Sequence, residues 1–80
     1  MMNAEILKQL IVEGMPGAEV QVNGDDGVHF EAIVISDAFA GKSMLAQHRM
    51  IYDILGTRVQ DGDIHALALR TYSRQQWDER

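Results

Sequence analysis

Eighty residues with 46% hydrophobic and 24% charged side chains describe a single domain over residues 1–80, which buries roughly 60% of its unfolded surface, enough for one core. Total stability on the order of 4–12 kcal/mol leaves little room for a self-contained catalytic apparatus, so an adaptor is expected, not an enzyme. The chain has no cysteine, which excludes disulfides and thiol nucleophiles, and its net charge of −5, with seven acids against Lys8 in residues 1–41 and six bases against five acids in residues 42–80, ranks independent nucleic-acid binding low.

The opening Met-Met-Asn-Ala-Glu carries no basic and apolar leader, and no apolar run approaches the ~18 residues of a membrane span. The expectation is a cytoplasmic protein without membrane association. Residues 3–13 place Ile6, Leu7, Leu10 and Ile11 at helical spacing after an Asn3 cap, and Gly14 with Pro16-Gly17 ends that helix. Residues 18–23 alternate apolar and polar side chains as a half-buried strand does, and Gly24-Asp25-Asp26-Gly27 supplies turn chemistry. A second strand, 28–35, ends in a nearly continuous apolar run that predicts a central place in the sheet.

Ser36 to Gly41 reads as a loop. The longest helix follows, with Met44, Leu45, His48, Ile51, Tyr52, Ile54 and Leu55 on helical spacing and Gly56 as its stop. Residues 57–61 are open between an irregular and a short helical connection. A third strand is expected over about 62–71, then a helix with Ser73 as N-cap, Gln76 completing a capping box, and Tyr72 and Trp77 at the staple positions.

Strands joined by a tight turn pair antiparallel, whereas a helical crossover of more than ~20 residues joins parallel neighbours. The order helix, strand, strand, helix, strand, helix therefore predicts an α+β sandwich with a small mixed sheet of three strands and helices on one face. If the second and third strands are neighbours, His29 and His65 begin them at the same edge. Two neutral imidazoles there form half a site for a soft or borderline metal, with the remaining ligands left to a partner. The bland alternatives stand beside this: His65 as a structural strand residue, and His29 as a solvated turn residue paired with Asp26 or Glu31. His48 reads as a packed, hydrogen-bonded helix residue. Asp61 and Asp63 flank Gly62 as a solvated turn or as acceptors that orient an imidazole.

Two motif matches fail. Ala40-Gly41-Lys42-Ser43 resembles the end of a phosphate-binding loop, yet Ser36 stands where its leading glycine belongs; anion or partner contact through Lys42 at a helix N-terminus remains. Gly24-Asp25-Asp26-Gly27 fits the form of a backbone-clamping G-x-x-G loop, but two aspartates repel phosphate and the stretch joins strands.

His29-Phe30, the run Ile35-Ser36-Asp37-Ala38-Phe39-Ala40-Gly41-Lys42-Ser43, Gln47-His48-Arg49 with Tyr52, Ile64-His65-Ala66, Thr71-Tyr72 and Trp77 resemble the BolA-like family in order and spacing over nearly the whole chain. The short length and the His-Phe second strand resemble its IbaG-type branch. The resemblance implies a KH-like (class II) α+β fold without the nucleic-acid-clamping loop. It also implies a monothiol glutaredoxin partner and a shared, bridging [2Fe-2S] cluster, for which the partner supplies a cysteine thiolate and bound glutathione a second sulfur. The isolated chain would then carry no cofactor, as a monomer or weak homodimer. The family's invariant histidine corresponds to His65, and its variable His or Cys ligand in the first hairpin to His29. Histidine in place of cysteine raises the potential of such a centre. Iron–sulfur trafficking or iron and stress signalling is the implied role. The family is also described as transcriptional regulators, with the segment around 41–56 resembling a helix-turn-helix; Lys42, Ser43, Arg49 and Arg70 are then the expected nucleic-acid or partner contacts.

Overall fold

In the computed structural model, which describes residues 2–24, 26, 28–62, 64 and 66–80, the elements follow as α1 (Ala4–Gly14), β1 (Glu19–Asn23), β2 (His29–Ile35), a 3-10 turn (Asp37–Phe39), α2 (Met44–Leu55), α3 (Thr57–Gln60), β3 (Ala66–Tyr72) and α4 (Arg74–Glu79). Asn3 opens α1 by accepting the Ile6 N–H at 2.8 Å, which satisfies one of the donors that a helix start leaves without an internal partner. No described helix is long and apolar enough to cross a membrane.

The sheet order is β1-β2-β3, antiparallel between β1 and β2 and parallel between β2 and β3, as the lengths of the two connections require. Side-chain alternation then separates two faces. Val20, Phe30, Ala32, Val34 and Thr71 turn inward and are buried, and Leu67 and Leu69 pack against the core. Leu7 and Ile11 of α1 and Ile51 and Leu55 of α2, each one turn apart, are wholly buried against them, and such burial contributes about 1.5–3 kcal/mol per side chain. His29, Glu31, Ala66, Ala68 and Arg70 alternate with the inward residues and are exposed on the other face.

Four expectations change. The helical stripe of α2 turns further than its apolar pattern predicts: Met44 is 70% and Leu45 63% exposed, and the first buried position is Gln47. In α1, Ile6 lies outside the stripe with 43% exposure. The loop expected over Ser36 to Gly41 holds the 3-10 turn, whose Ser36 Oγ accepts the Ala38 N–H at 3.1 Å; the stretch 57–61, open between two alternatives, takes the helical one as α3 and is no change. The third strand begins at Ala66, four residues later than expected. Gly62 instead turns with φ 83°, a region glycine enters without steric cost, and Ile64 lies in a bend, buried in the core.

The end of the chain follows its capping signal closely. Ser73 and Gln76 form the reciprocal capping box, the Tyr72 and Trp77 rings meet edge-on at 5.2 Å, and the Arg80 guanidinium lies 3.4 Å from the Trp77 ring centre. Arg74 pairs with Glu19 at 2.5 Å, tying α4 to β1.

Candidate functional site

Among the described residues between β1 and β2, the Asp26 carboxylate gathers several contacts. Asp26 Oδ1 accepts the N–H groups of Val28 at 3.0 Å and His29 at 2.8 Å, while Oδ2 lies 2.6 Å from His29 Nδ1. Of the two acids that the sequence offers as partners of His29, Asp26 is the one that meets it. The His29 N–H, then the His29 ring, then the Val28 N–H hold the Asp26 carboxyl well below the usual carboxylate range. A group so depressed adds stability that is complete above its unfolded value of about 3.9 and is lost as pH falls through the folded one. An acid titration followed at the Asp26 carboxyl carbon by NMR is expected to give a midpoint well below 3.9, with the Val28 and His29 amide shifts moving together with it. A midpoint of about 4, the value of an unperturbed aspartate, would show that these bonds do not form in solution.

His29 heads β2 opposite Ala66, and the Ala66 N–H donates to the Val28 carbonyl at 3.0 Å. Beside this junction lies an open cleft of about 630 Å³, lined by Asn23, Gly24, Asp26, His29, Phe30, Glu31, Ala66, Leu67 and Ala68. Small residues leave the space. A side chain at Gly24 would run into the Phe30 ring, so the β1 end of the cleft needs a glycine. No lysine or arginine is among the described residues that line it, and Asp26 and Glu31 give it acidic walls. An imidazole donor with neighbouring carboxylates suits a cation better than a phosphate. Further along the same face, a cavity of about 90 Å³ between Asn23, Glu31 and Ala68 includes Arg70.

His65 immediately precedes Ala66 in the chain; it and Asp63 lie outside the described residues. Among the described residues no group of three or more His, Cys, Asp or Glu side chains is arranged to hold a metal ion. Metal chemistry at His29 therefore needs ligands from beyond that set, and a cleft open to solvent admits them.

The cationic positions do not gather. Lys42 and Arg49 are exposed beside and on α2, whereas Arg70 sits on the sheet face turned away from α2, between Leu69 and the inward Thr71. Arg74 is engaged by Glu19. Ser43 is the N-cap of α2, its Oγ accepting the Ala46 N–H at 3.1 Å, so its hydroxyl serves the helix start.

The polar centre of α2 is Gln47, and not the half-buried His48 that the sequence suggests for a packed, hydrogen-bonded position. Gln47 is 1% exposed. Its Nε2 donates to the carbonyls of Phe39 and Lys42 and to Gln76 Oε1, and its Oε1 accepts from Thr71 Oγ1 at 2.8 Å. The sequence does carry a signal for it: a glutamine one turn before Ile51 and two before Leu55 falls on the buried stripe.

Comparison with known proteins places this arrangement. The family model described as "BolA-like protein" matches residues 12–76. The chain is similar to the acid stress protein IbaG of Escherichia coli K12, 31% identical over 77 residues that cover 96% of this chain and 89% of IbaG. Similarity to the DNA-binding transcriptional regulator BolA of the same organism is 42% over 50 residues, 62% of this chain and 47% of that protein. Among solved structures, a bolA protein homologue from Coxiella burnetii superposes with a TM-score of 0.84 at 39% identity, over 98% of this chain and 99% of that one. Near-complete coverage by IbaG matches the resemblance drawn from the His-Phe strand and the short length. The chain belongs to the BolA-like family.

Proposed function

We propose that this chain is a non-enzymatic adaptor that binds a monothiol glutaredoxin and co-ligates a bridging [2Fe-2S] cluster through His65 and His29, in iron–sulfur trafficking or iron and stress signalling. The observation that carries the reading is the position of His29. It stands on the cleft, its ring set by Asp26, opposite the residue that follows His65 in the chain. Family membership supports it, since the relatives compared above are named as a stress protein and a regulator, not as enzymes. The donor chemistry fits as well: a chain without cysteine offers imidazoles, and the sulfur ligands come from the partner and its glutathione. When bound, the cluster supplies one-electron chemistry and transferable iron and sulfide. This chain's own residues orient an imidazole and line the mouth with small side chains that admit a second protein.

Titrating the protein into cluster-loaded monothiol glutaredoxin and following visible circular dichroism tests the reading. The wild-type chain is expected to change the spectrum, and His65→Ala to abolish that change. A His65→Ala variant with the spectrum and affinity of wild type would sink the proposal.

A second reading, DNA binding, is favoured by the name of the BolA relative, a DNA-binding transcriptional regulator, and by the exposure of Lys42 and Arg49 at α2. Few cations and an overall negative charge predict weak, strongly salt-dependent affinity. Titration of duplex DNA at two salt concentrations is expected to show binding that disappears in the Lys42→Ala/Arg49→Ala double variant if this reading holds. No binding at low salt removes it.

A further inference from the structure

We infer that Asp26 is the positioning residue of the site: its carboxylate engages His29 at Nδ1 and thereby makes Nε2 the nitrogen that ligates. The inference rests on the reading of His29 as a ligand and goes beyond it to a residue and an atom. Its basis is the way one carboxylate is shared. Oδ1 takes the Val28 and His29 N–H groups at 3.0 and 2.8 Å, and Oδ2 faces His29 Nδ1 at 2.6 Å. Two backbone donors fix the carboxylate plane, so the second oxygen cannot swing away from the ring without breaking both bonds. An ionised carboxylate only accepts, so Nδ1 must be the donor. Metal-bound histidines commonly give their other N–H to a carboxylate in this manner, which fixes the tautomer and raises the basicity of the ligating nitrogen.

The same geometry dictates what an isosteric change does. In Asp26→Asn the backbone amides still require an acceptor, so the amide oxygen takes the Oδ1 place and the NH2 group faces Nδ1. That group donates. The ring must then accept at Nδ1 and carry its proton on Nε2, where it blocks ligation, while the turn itself is kept. Asp26 thus acts on the cluster through His29 and not by contact.

The test begins with the free protein. Long-range proton–nitrogen correlation spectra of the His29 ring are expected to show the Nδ1–H tautomer in wild type and the Nε2–H tautomer in Asp26→Asn. The Val28 and His29 amide shifts report whether the turn persists. Titration into cluster-loaded monothiol glutaredoxin is then expected to show a loss of about 10- to 100-fold in affinity for Asp26→Asn, the usual cost of removing such a partner, approaching that of His29→Ala. An Nε2–H tautomer in wild type overturns the inference without any variant. Wild-type affinity in Asp26→Asn beside weakened His29→Ala overturns it while leaving His29 a ligand. If His29→Ala also binds as wild type, the ligand assignment itself fails and the inference with it.

Discussion

Phe39→Ala is expected to lower folding stability by about 3–5 kcal/mol, the usual cost of emptying a buried aromatic site. For a domain of this length, with a total on the order of 4–12 kcal/mol, that is a large fraction of the whole. The Phe39 ring has 0% exposure and belongs to the cluster that joins Leu7 and Ile11 of α1 to Ile51 and Leu55 of α2. Its backbone sits in the 3-10 turn, where the Phe39 N–H donates to the Ser36 carbonyl and its own carbonyl accepts from Lys42 N–H and Gln47 Nε2. The turn therefore delivers an aromatic ring to the centre of the fold in the shortest link between β2 and α2. Urea unfolding followed by Trp77 fluorescence measures the loss. A change below about 1 kcal/mol, the range of ordinary surface substitutions and mild core changes, would show that the ring is not part of the core.

Gln47→Leu is expected to cost about 2–4 kcal/mol, or roughly 10–25 °C in melting temperature for a domain of this length. Leucine fills a similar volume, so the loss comes from the polar groups left behind. Thr71 Oγ1 is buried and loses its acceptor, and the carbonyls of Phe39 and Lys42 lose a shared donor. Removing both sides of one bond distinguishes this from a packing effect. The Gln47→Leu/Thr71→Val double variant is expected to be less destabilised than the sum of the singles, by about 1–2 kcal/mol, because no hydroxyl is then stranded. Strict additivity in the cycle would mean that the bond contributes nothing.

These two residues bear on what the sequence resemblance reports. Ser36, Phe39, Gln47, Thr71, Tyr72 and Trp77 all belong to the family pattern, and each serves the fold as a cap, a core ring, part of a polar junction or half of a staple. Their presence identifies a fold. The function proposed above rests on a smaller set, His65, His29 and the acid that grips His29. Element order and strand pairing are readable from connection lengths, and the final helix from its capping box, because both are local or topological signals. The turn of α2 is not, since Met44 and Leu45 continue the apolar pattern beyond the face that packing selects. Gln47 is hard to see in the sequence because a polar side chain contradicts the binary pattern unless its partners are known, and those partners lie as far as 29 residues away in the chain. The late start of β3 reflects Ile64, whose side chain is drawn into the core ahead of the strand. Pairing of His29 with Asp26 is visible in the sequence as one of two choices; the shared grip on two backbone amides is not, because it depends on the turn's conformation.

The parallel pairing of β2 with β3 also sets the order in which this protein can become competent. α1, β1 and β2 are contiguous and can form early, but the cleft needs Ala66 to Ala68 beside His29 to Glu31, segments separated by the whole of α2 and α3. Closing a loop of that length is entropically costly before its contacts form, so this pairing is expected among the last events of folding. A nascent or partly folded chain thus presents the Asp26–His29 turn without the opposite wall. The cleft described above is thus a property of the fully paired sheet and not of its first hairpin alone.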